Sequence, residues 1–172
     1  SSMNKQYYFA IVSCLILVNA NFCYANEGAN IEGRSGSNVS GTITIQVQDE
    51  NLLITGKVIG LKPNQSHAFH VHEFGDCSAS DASSAGKHFN PSNRLHGHPQ
   101  SSEHHIGDLA NLVADENGQA IVNFVLEGAH LDTSEFGILD RAFVVHQQAD
   151  DYYSQPAGNA GKRIGCGVIQ SE

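Results

Sequence analysis

The chain has 172 residues, of which 40% are hydrophobic and 16% charged, and its formal net charge at pH 7 is −9. This length fits a single domain with a sizeable core, and the acidic balance argues against nucleic acid or an anionic membrane surface as a partner. Against so few charges, ten histidines and four cysteines stand out.

Residues 1–25 are predicted to be a secretory signal peptide. Lys5 precedes an apolar run over residues 7–18, which is too short to span a membrane, and small residues precede the expected cleavage after Ala25. Residues 1–2, before the first methionine, are interpreted as a cloning remnant. The exported domain would cover residues 26–172 with a net charge of −10, from eight bases and 18 acids, and would not attach to a membrane.

The cysteines predict one disulfide in the exported domain. Cys14 and Cys23 leave with the signal peptide, so only Cys77 and Cys166 remain. In an oxidising compartment an even number of cysteines implies pairing. The alternative is two buried free thiols, which export disfavours.

Seven segments of the exported domain have the alternation and flanking turns of short strands. They are residues 39–47, 52–59, 67–72, 110–114, 119–126, 141–146 and 163–169. Before them, residues 26–38 are polar and glycine-rich, with Ile31 able to anchor a strand, so the regularity of an N-terminal strand is in doubt. Residues 115–118, Asp-Glu-Asn-Gly, predict a hairpin turn.

No segment of the exported domain has a sustained helical period, so the chain is predicted to be all-β, an antiparallel sandwich or barrel. Two long insertions, residues 74–108 and 147–162, interrupt the strands. Long loops that leave a rigid barrel usually carry function.

Seven of the ten histidines lie between His70 and Asp108. In a strand, His70 and His72 point to one face, and the apolar residues beside them to the other. The 35 residues of segment 74–108 have no regular period, which a compact domain rarely tolerates without a function. Imidazole and carboxylate are ligands of zinc and copper, and this stretch offers His88, His96, His104, His105 and Asp108. The alternative is a hydrogen-bonded histidine pair beside a loose metal-binding tract.

Four stretches together resemble the copper/zinc superoxide dismutases, and more narrowly their bacterial periplasmic type. They are HVHEFGD at 70–76, SAGKHFNP at 84–91, VVH at 144–146 and GNAGKRIGCG at 158–167. The resemblance covers about residues 39–169 and implies an eight-stranded antiparallel Greek-key β-barrel or sandwich with two long functional loops. It also implies a periplasmic enzyme that converts superoxide into dioxygen and hydrogen peroxide and so protects the exported compartment.

The resemblance further implies one copper and one zinc per subunit. Copper would be held by His70, His72, His88 and His146. Zinc would be held by His88, His96, His105 and Asp108. The deprotonated ring of His88 would bridge the two metals and carry a proton in catalysis. Asp150 would hydrogen-bond His70 and His96, Arg163 would lie beside the copper where the anion binds, and Cys77 and Cys166 would form the disulfide that ties the loop to the barrel.

The other histidines receive lesser roles. His67 resembles a structural histidine of the family, and His98 is a disfavoured substitute zinc ligand. His104 competes with His105, but the three-residue step to Asp108 favours His105. His130 is interpreted as a solvated loop residue.

The chain also departs from the family's animal members. Residues 151–158 form a short loop without the lysines and acids that guide the substrate there, and Ala157 replaces a hydroxyl-bearing residue.

Two other classes of function share parts of this pattern. A copper chaperone or metal-buffer domain of the same fold would lack part of the copper set or Arg163, and all of these are present here. A structural or adhesive export domain would not need seven matching ligands. Because the interface surfaces of bacterial members vary, a monomer and a homodimer both remain open.

Overall fold

A computed structural model describes residues 27–171, and the predicted signal peptide lies outside this range. The described residues form ten strands and one turn of 3-10 helix, Ser83–Ala85, with no α-helix. None of them therefore forms a helix that is long and apolar enough to cross a membrane. The strands are β1 (Glu27–Gly33), β2 (Ser40–Gln48), β3 (Asn51–Ile59), β4 (Ser66–His67), β5 (Phe69–His72), β6 (Leu112–Val113), β7 (Ala120–Leu126), β8 (Ala142–His146), β9 (Arg163–Val168) and β10 (Gln170–Ser171).

Eight strands form one curled antiparallel sheet in the order β5-β8-β9-β1-β2-β3-β7, and β10 pairs with β1. Strands β4 and β6 form a separate two-stranded sheet. Two connections, from β3 to β5 and from β7 to β8, cross from one end of the large sheet to the other, which is the pattern of a Greek key. The predicted all-β antiparallel fold is confirmed.

The main core lies against one face of the curled sheet and is built mostly by alternate residues of its strands. Phe69 and Phe143 stack with their ring centroids 5.1 Å apart, and both are fully buried. Each such side chain contributes about 1.5–3 kcal/mol when it is removed from water. Because Phe69 and Val71 point into this core, the intervening positions of β5 face the opposite side.

The doubt about the N-terminal strand is resolved by β1, which is regular and lies between β2 and β9. Ala29 and Ile31 are buried at alternate positions of β1. Gly28 lies so close to the backbone of Ile43 that a side chain there would not fit. The glycine that weakens the alternation pattern is thus a consequence of close strand contact.

The predicted strand 67–72 divides at Ala68, because the two halves have different partners. Strand β4 pairs with β6, and β5 pairs with β8. Between them the N–H of Ala68 donates to the carbonyl of Gln148 at 2.8 Å. The turn at 115–118 forms, but the two strands beside it do not pair with each other, since β6 pairs with β4 and β7 with β3. The predicted hairpin is therefore wrong beyond the turn itself.

Candidate metal centre

The site lies on the face of strands β5 and β8 opposite to the main core, under residues 74–108, the histidine loop. His70 and His72 project from β5 on the side opposite to the core residues, and His146 ends β8. All three are buried although they face away from the main core. The histidine loop returns across them, so that His72 and His88 form an isolated antiparallel β-bridge and His70 forms another with Asp108.

Four imidazole rings form what we call the histidine cluster. Its members are His70, His72, His88 and His146, whose ligand atoms all lie within 4.8 Å of one another. The Nδ1 atom of His70 lies 3.2 Å from Nε2 of His146. The Nε2 atoms of His72 and His88 are buried without a hydrogen-bond partner, which is costly for a polar atom unless a ligand satisfies it.

Burial keeps the histidine cluster neutral. It lowers the pKa of His72 and His146 well below the usual value, and the neighbouring imidazoles lower both further. Neutral imidazoles present free lone pairs. Four such nitrogens without a carboxylate fit copper.

A second set, which we call the mixed cluster, contains one carboxylate. Its members are His88, His96, His105 and Asp108, whose ligand atoms again lie within 4.8 Å of one another. Asp108 Oδ1 lies 2.9 Å from Nδ1 of His88 and 3.3 Å from Nδ1 of His105, and its Oδ2 lies 3.0 Å from Nδ1 of His96. Three imidazole nitrogens and one carboxylate oxygen around a common point are a typical four-coordinate zinc set.

The charges of the mixed cluster favour a cation at its centre. Burial alone would raise the pKa of Asp108, but hydrogen bonds from the three surrounding histidines outweigh burial and hold this pKa far below its usual range. For His96 the directions are reversed. Burial alone would lower the pKa of His96, but its hydrogen bonds to Asp108 and Asp150 raise this pKa to about 9. A bound zinc ion would supply positive charge beside both carboxylates.

His88 belongs to both sets, because its two ring nitrogens point in opposite directions. Nδ1 faces Asp108 and His105, at 2.9 and 3.2 Å, whereas Nε2 faces the histidine cluster and has no partner. Burial, and next the proximity of His70, lower the pKa of this ring to about 4. One neutral imidazole therefore connects the two clusters.

Asp150 ties a histidine of each set to the same carboxylate. Its Oδ2 accepts a hydrogen bond from Nε2 of His70, and its Oδ1 accepts one from Nε2 of His96, both at 2.8 Å. Burial opposes ionisation of Asp150, but these two bonds outweigh it and hold its pKa well below the usual range. Each ring thereby turns its Nδ1 atom towards its cluster, as bonds behind metal ligands generally do.

Asn111 holds the backbone of Asp150, and the sequence pattern did not single it out. The Asn111 amide donates to the Asp150 carbonyl at 3.1 Å and accepts from the Asp150 N–H at 2.8 Å. Gly158 was likewise noted only as part of a matching stretch. Its φ is +73°, and a Cβ there would clash with the Asp150 carboxylate and lie 2.8 Å from Nε2 of His96.

A cavity of about 390 Å³ opens beside the histidine cluster. Its wall includes His72, His146, Ala157 and Arg163. Arg163 begins β9, is half-buried, and donates from Nη1 to the carbonyl of Ala82 at 3.0 Å. A guanidinium held in this position places positive charge at the cavity wall.

The disulfide between Cys77 and Cys166 is present, with the Cα atoms 5.7 Å apart and a sequence separation of 89. It joins the histidine loop to β9 at Cys166, which is three residues after Arg163. A small second core surrounds it, formed by Ala82, Ala85, Ala142 and Val144. The predicted pairing is confirmed.

The remaining histidines lie outside both clusters. The buried ring of His67 approaches the carbonyl of His146, with Nδ1 at 3.0 Å. His98 packs against Tyr152 with ring centroids 4.6 Å apart, and Nδ1 of His104 donates to the carbonyl of His105 at 2.7 Å. His130 is exposed. Of the two neighbours His104 and His105, the structure brings only His105 to the mixed cluster.

Comparison with known proteins identifies the group to which the chain is similar. Residues 39–169 match the family model for copper/zinc superoxide dismutase. Superoxide dismutase [Cu-Zn] 3 of Arabidopsis thaliana is 44% identical over 123 residues, covering 67% of this chain and 73% of the relative. A superoxide dismutase [Cu-Zn] of the fungus Yarrowia lipolytica is 41% identical over 145 residues, covering 79% of this chain and 92% of the relative.

Solved structures show the same likeness. A double mutant of a SOD-like protein from Bacillus subtilis superposes with a TM-score of 0.74 at 41% identity, covering 83% of this chain and 96% of that one. A clock protein superposes with a TM-score of 0.75 at 40% identity, covering 85% of this chain and 94% of that one. The curated relatives are a plant and a fungal protein, so they do not bear out the narrower bacterial periplasmic type.

Proposed function

The chain belongs to the copper/zinc superoxide dismutase family, and we propose that its two clusters are the metal sites with which it dismutes superoxide. The histidine cluster would hold copper, and the mixed cluster would hold zinc. The ligand types support this assignment, because four neutral imidazoles suit copper and three imidazoles with a carboxylate suit zinc. The unpartnered Nε2 atoms of His72 and His88 support it as well.

The orientation of His88 is the single observation that carries the proposal. Its Nδ1 atom lies in the mixed cluster and its Nε2 atom in the histidine cluster. A ring that ligates two cations through both nitrogens must lose its last N–H proton. His88 would therefore be a ligand of both metals and would be deprotonated when both are bound, so that the occupancy of one site would depend on the other.

Copper, when bound, supplies the one-electron chemistry that converts two superoxide anions and two protons into dioxygen and hydrogen peroxide. The chain supplies one of the protons through His88. Its Nε2 atom takes up a proton in one half of the cycle and delivers it to the reduced anion in the other, while Nδ1 stays in the mixed cluster. The neighbouring zinc site makes the ring an acid that releases this proton readily.

Arg163 binds the substrate anion in the cavity beside His72 and His146. Its charge acts where negative charge must be held during reaction. Asp150 acts differently, because its carboxylate accepts hydrogen bonds from the far nitrogens of His70 and His96 and from the N–H of Tyr152. It holds protons on those atoms and so keeps the opposite nitrogens directed at the metals.

We also propose that the protein works after export, in the periplasm. The basic residue and apolar run of the first 25 residues support export, and a disulfide suits an oxidising compartment. Fractionation of cells that express the full chain tests the location. A homodimer stays a prediction of the resemblance, and light scattering on the metallated protein tests it.

Metal analysis combined with a dismutation assay tests the proposed function. The protein is loaded with copper and zinc and dialysed, and each metal is then counted per chain. One copper and one zinc per chain, with superoxide consumption that is lost on chelation, is the expected result. A protein that binds copper without consuming superoxide would be a metal carrier, and that outcome contradicts the proposal.

A further inference from the structure

The side chain of Gln155 makes a paired contact with the backbone of His96, 59 residues away in the chain. Its Oε1 atom accepts from the His96 N–H, and its Nε2 atom donates to the His96 carbonyl, both at 2.8 Å. The amide group therefore satisfies the donor and the acceptor of one residue, much as a neighbouring strand would.

His96 needs this contact because it lies in a loop without a strand partner. Within residues 27–171, the N–H and C=O of His96 have no hydrogen-bond partner other than Gln155. The residue is buried, with 3% of its surface exposed. Buried backbone groups are nearly always paired, so loss of the amide would force His96 to move.

The His96 ring has little freedom once its backbone is held. Nε2 donates to Asp150 at 2.8 Å, which directs Nδ1 to the mixed cluster, 3.0 Å from Asp108. Gln155 fixes the base of the side chain, and Asp150 fixes its tip. Together they set where Nδ1 meets a metal ion, to within the small tolerance that a metal site needs.

The same glutamine belongs to the wall of the cavity beside the histidine cluster. Residues 151–158, which we call the closing segment, contribute Gln155 and its neighbours to that wall, opposite His72, His146 and Arg163. The segment, including Gln155, is mostly exposed. Gln155 thus connects an exposed segment on the copper side with a ligand on the zinc side.

We propose that Gln155 is a positioning residue that couples zinc binding at His96 to the ordering of the closing segment over the copper site. The inference rests on the proposed function, since it takes the mixed cluster as the zinc site. Zinc that fixes His96 also fixes the backbone groups to which Gln155 bonds. Conversely, an ordered closing segment holds His96 ready for zinc, since such coupling acts equally in both directions.

Two variants separate the hydrogen bonds from the space that the side chain fills. Gln155→Met keeps the length of the side chain and removes both bonds to His96, together with a longer one, 3.3 Å, from Nε2 to the carbonyl of Tyr153. Gln155→Glu keeps the shape and the acceptor, but it loses the donor and places a carboxylate beside the His96 carbonyl. Ser154→Ala is the matched control, because it removes a hydrogen bond to Asp151 in the same segment without touching His96.

The first measurement is the zinc affinity of each metal-free protein, by competition with a coloured chelator. Loss of a contact that orients a ligand typically weakens metal affinity 10–100-fold. We therefore expect zinc to bind roughly tenfold more weakly to both Gln155 variants and with unchanged affinity to Ser154→Ala. Wild-type affinity in both Gln155 variants would overturn the inference. If the wild-type chain itself failed to bind zinc, that result would contradict the proposed function as well as the inference about Gln155.

The second measurement is hydrogen exchange of the closing segment, with and without saturating zinc. We expect zinc to slow exchange of residues 151–158 in the wild type and in Ser154→Ala, but much less in Gln155→Met. This readout needs no copper and no activity. Equal slowing in Gln155→Met would show that zinc orders the segment by another route, and it would contradict the coupling through Gln155.

Discussion

The Nδ1 atom of His88 lies 2.9 Å from Oδ1 of Asp108, while Nε2 of the same ring is buried without a hydrogen-bond partner. The two sides of one imidazole therefore meet different surroundings. One side faces a carboxylate and the other faces only neutral histidines. This asymmetry makes His88 the most informative residue to change.

Replacing His88 with Ala removes one ligand from each cluster and the proton that we assign to Nε2. We expect dismutation to fall by about 10²-fold or more, the scale of a lost general acid, and the visible copper spectrum to change. His98→Ala is the control, because His98 lies outside both clusters. Full activity and an unaltered spectrum in His88→Ala would remove the bridge from the mechanism.

Asp150→Asn keeps the size of the side chain but leaves one acceptor oxygen for three donors, Nε2 of His70, Nε2 of His96 and the N–H of Tyr152. We expect the affinity for at least one metal to drop roughly 10–100-fold, measured by chelator competition. Asp151→Asn is the matched control, since Asp151 is exposed and bonds only to its own segment. Similar affinities for both variants would show that Asp150 does not orient these rings.

Gly158→Ala tests the close approach of the closing segment to Asp150. The added methyl group would meet the Asp150 carboxylate at a backbone φ of +73°. Gly36→Ala is the control, because Gly36 has a φ of +77° and nothing within 4 Å. Both variants have the same cost of placing alanine at a positive φ. We expect Gly158→Ala to lower the free energy of unfolding by about 1–3 kcal/mol more than Gly36→Ala, and this difference measures the clash. Chemical denaturation measures it, and equal losses would refute the clash.

The disulfide between Cys77 and Cys166 should stabilise the fold by about 2–4 kcal/mol. It joins positions with a sequence separation of 89 and holds the histidine loop against β9. Urea denaturation of the wild type and of the double variant Cys77→Ser/Cys166→Ser measures the difference. Mass analysis with a thiol reagent provides an independent check, and two reactive thiols in the native protein would contradict the prediction.

Arg163 should attract superoxide although residues 26–172 have a net charge of −10 from eight bases and 18 acids. Its charge acts within about one Debye length, roughly 8 Å at physiological salt. We expect Arg163→Glu to lower the bimolecular rate constant far more than Arg163→Lys, as measured by pulse radiolysis. The wild-type rate constant should fall as ionic strength rises. A rate constant that rises with salt would show that the overall negative charge governs capture.

Much of the fold follows from local pattern. The period of two along a strand predicts that His70 and His72 share a face, and the structure places both rings on the side opposite to Phe69 and Val71. This works because the direction of a side chain in a strand depends only on its own backbone. The same pattern failed at residues 26–38, where the spacing between β1 and β2 is so small that only glycine fits at position 28.

The amino-acid sequence by itself determined the ligand types, the pairing of two cysteines and the family resemblance, since these depend on which residues are present and in what order. The tertiary structure alone decided how those ligands are held. Asn111 and Gln155 are ordinary polar residues in the sequence, and each pairs with the backbone of a residue 39 or 59 positions away. An amide side chain can bond to any backbone group, so its partner is selected only when the loops have folded against each other.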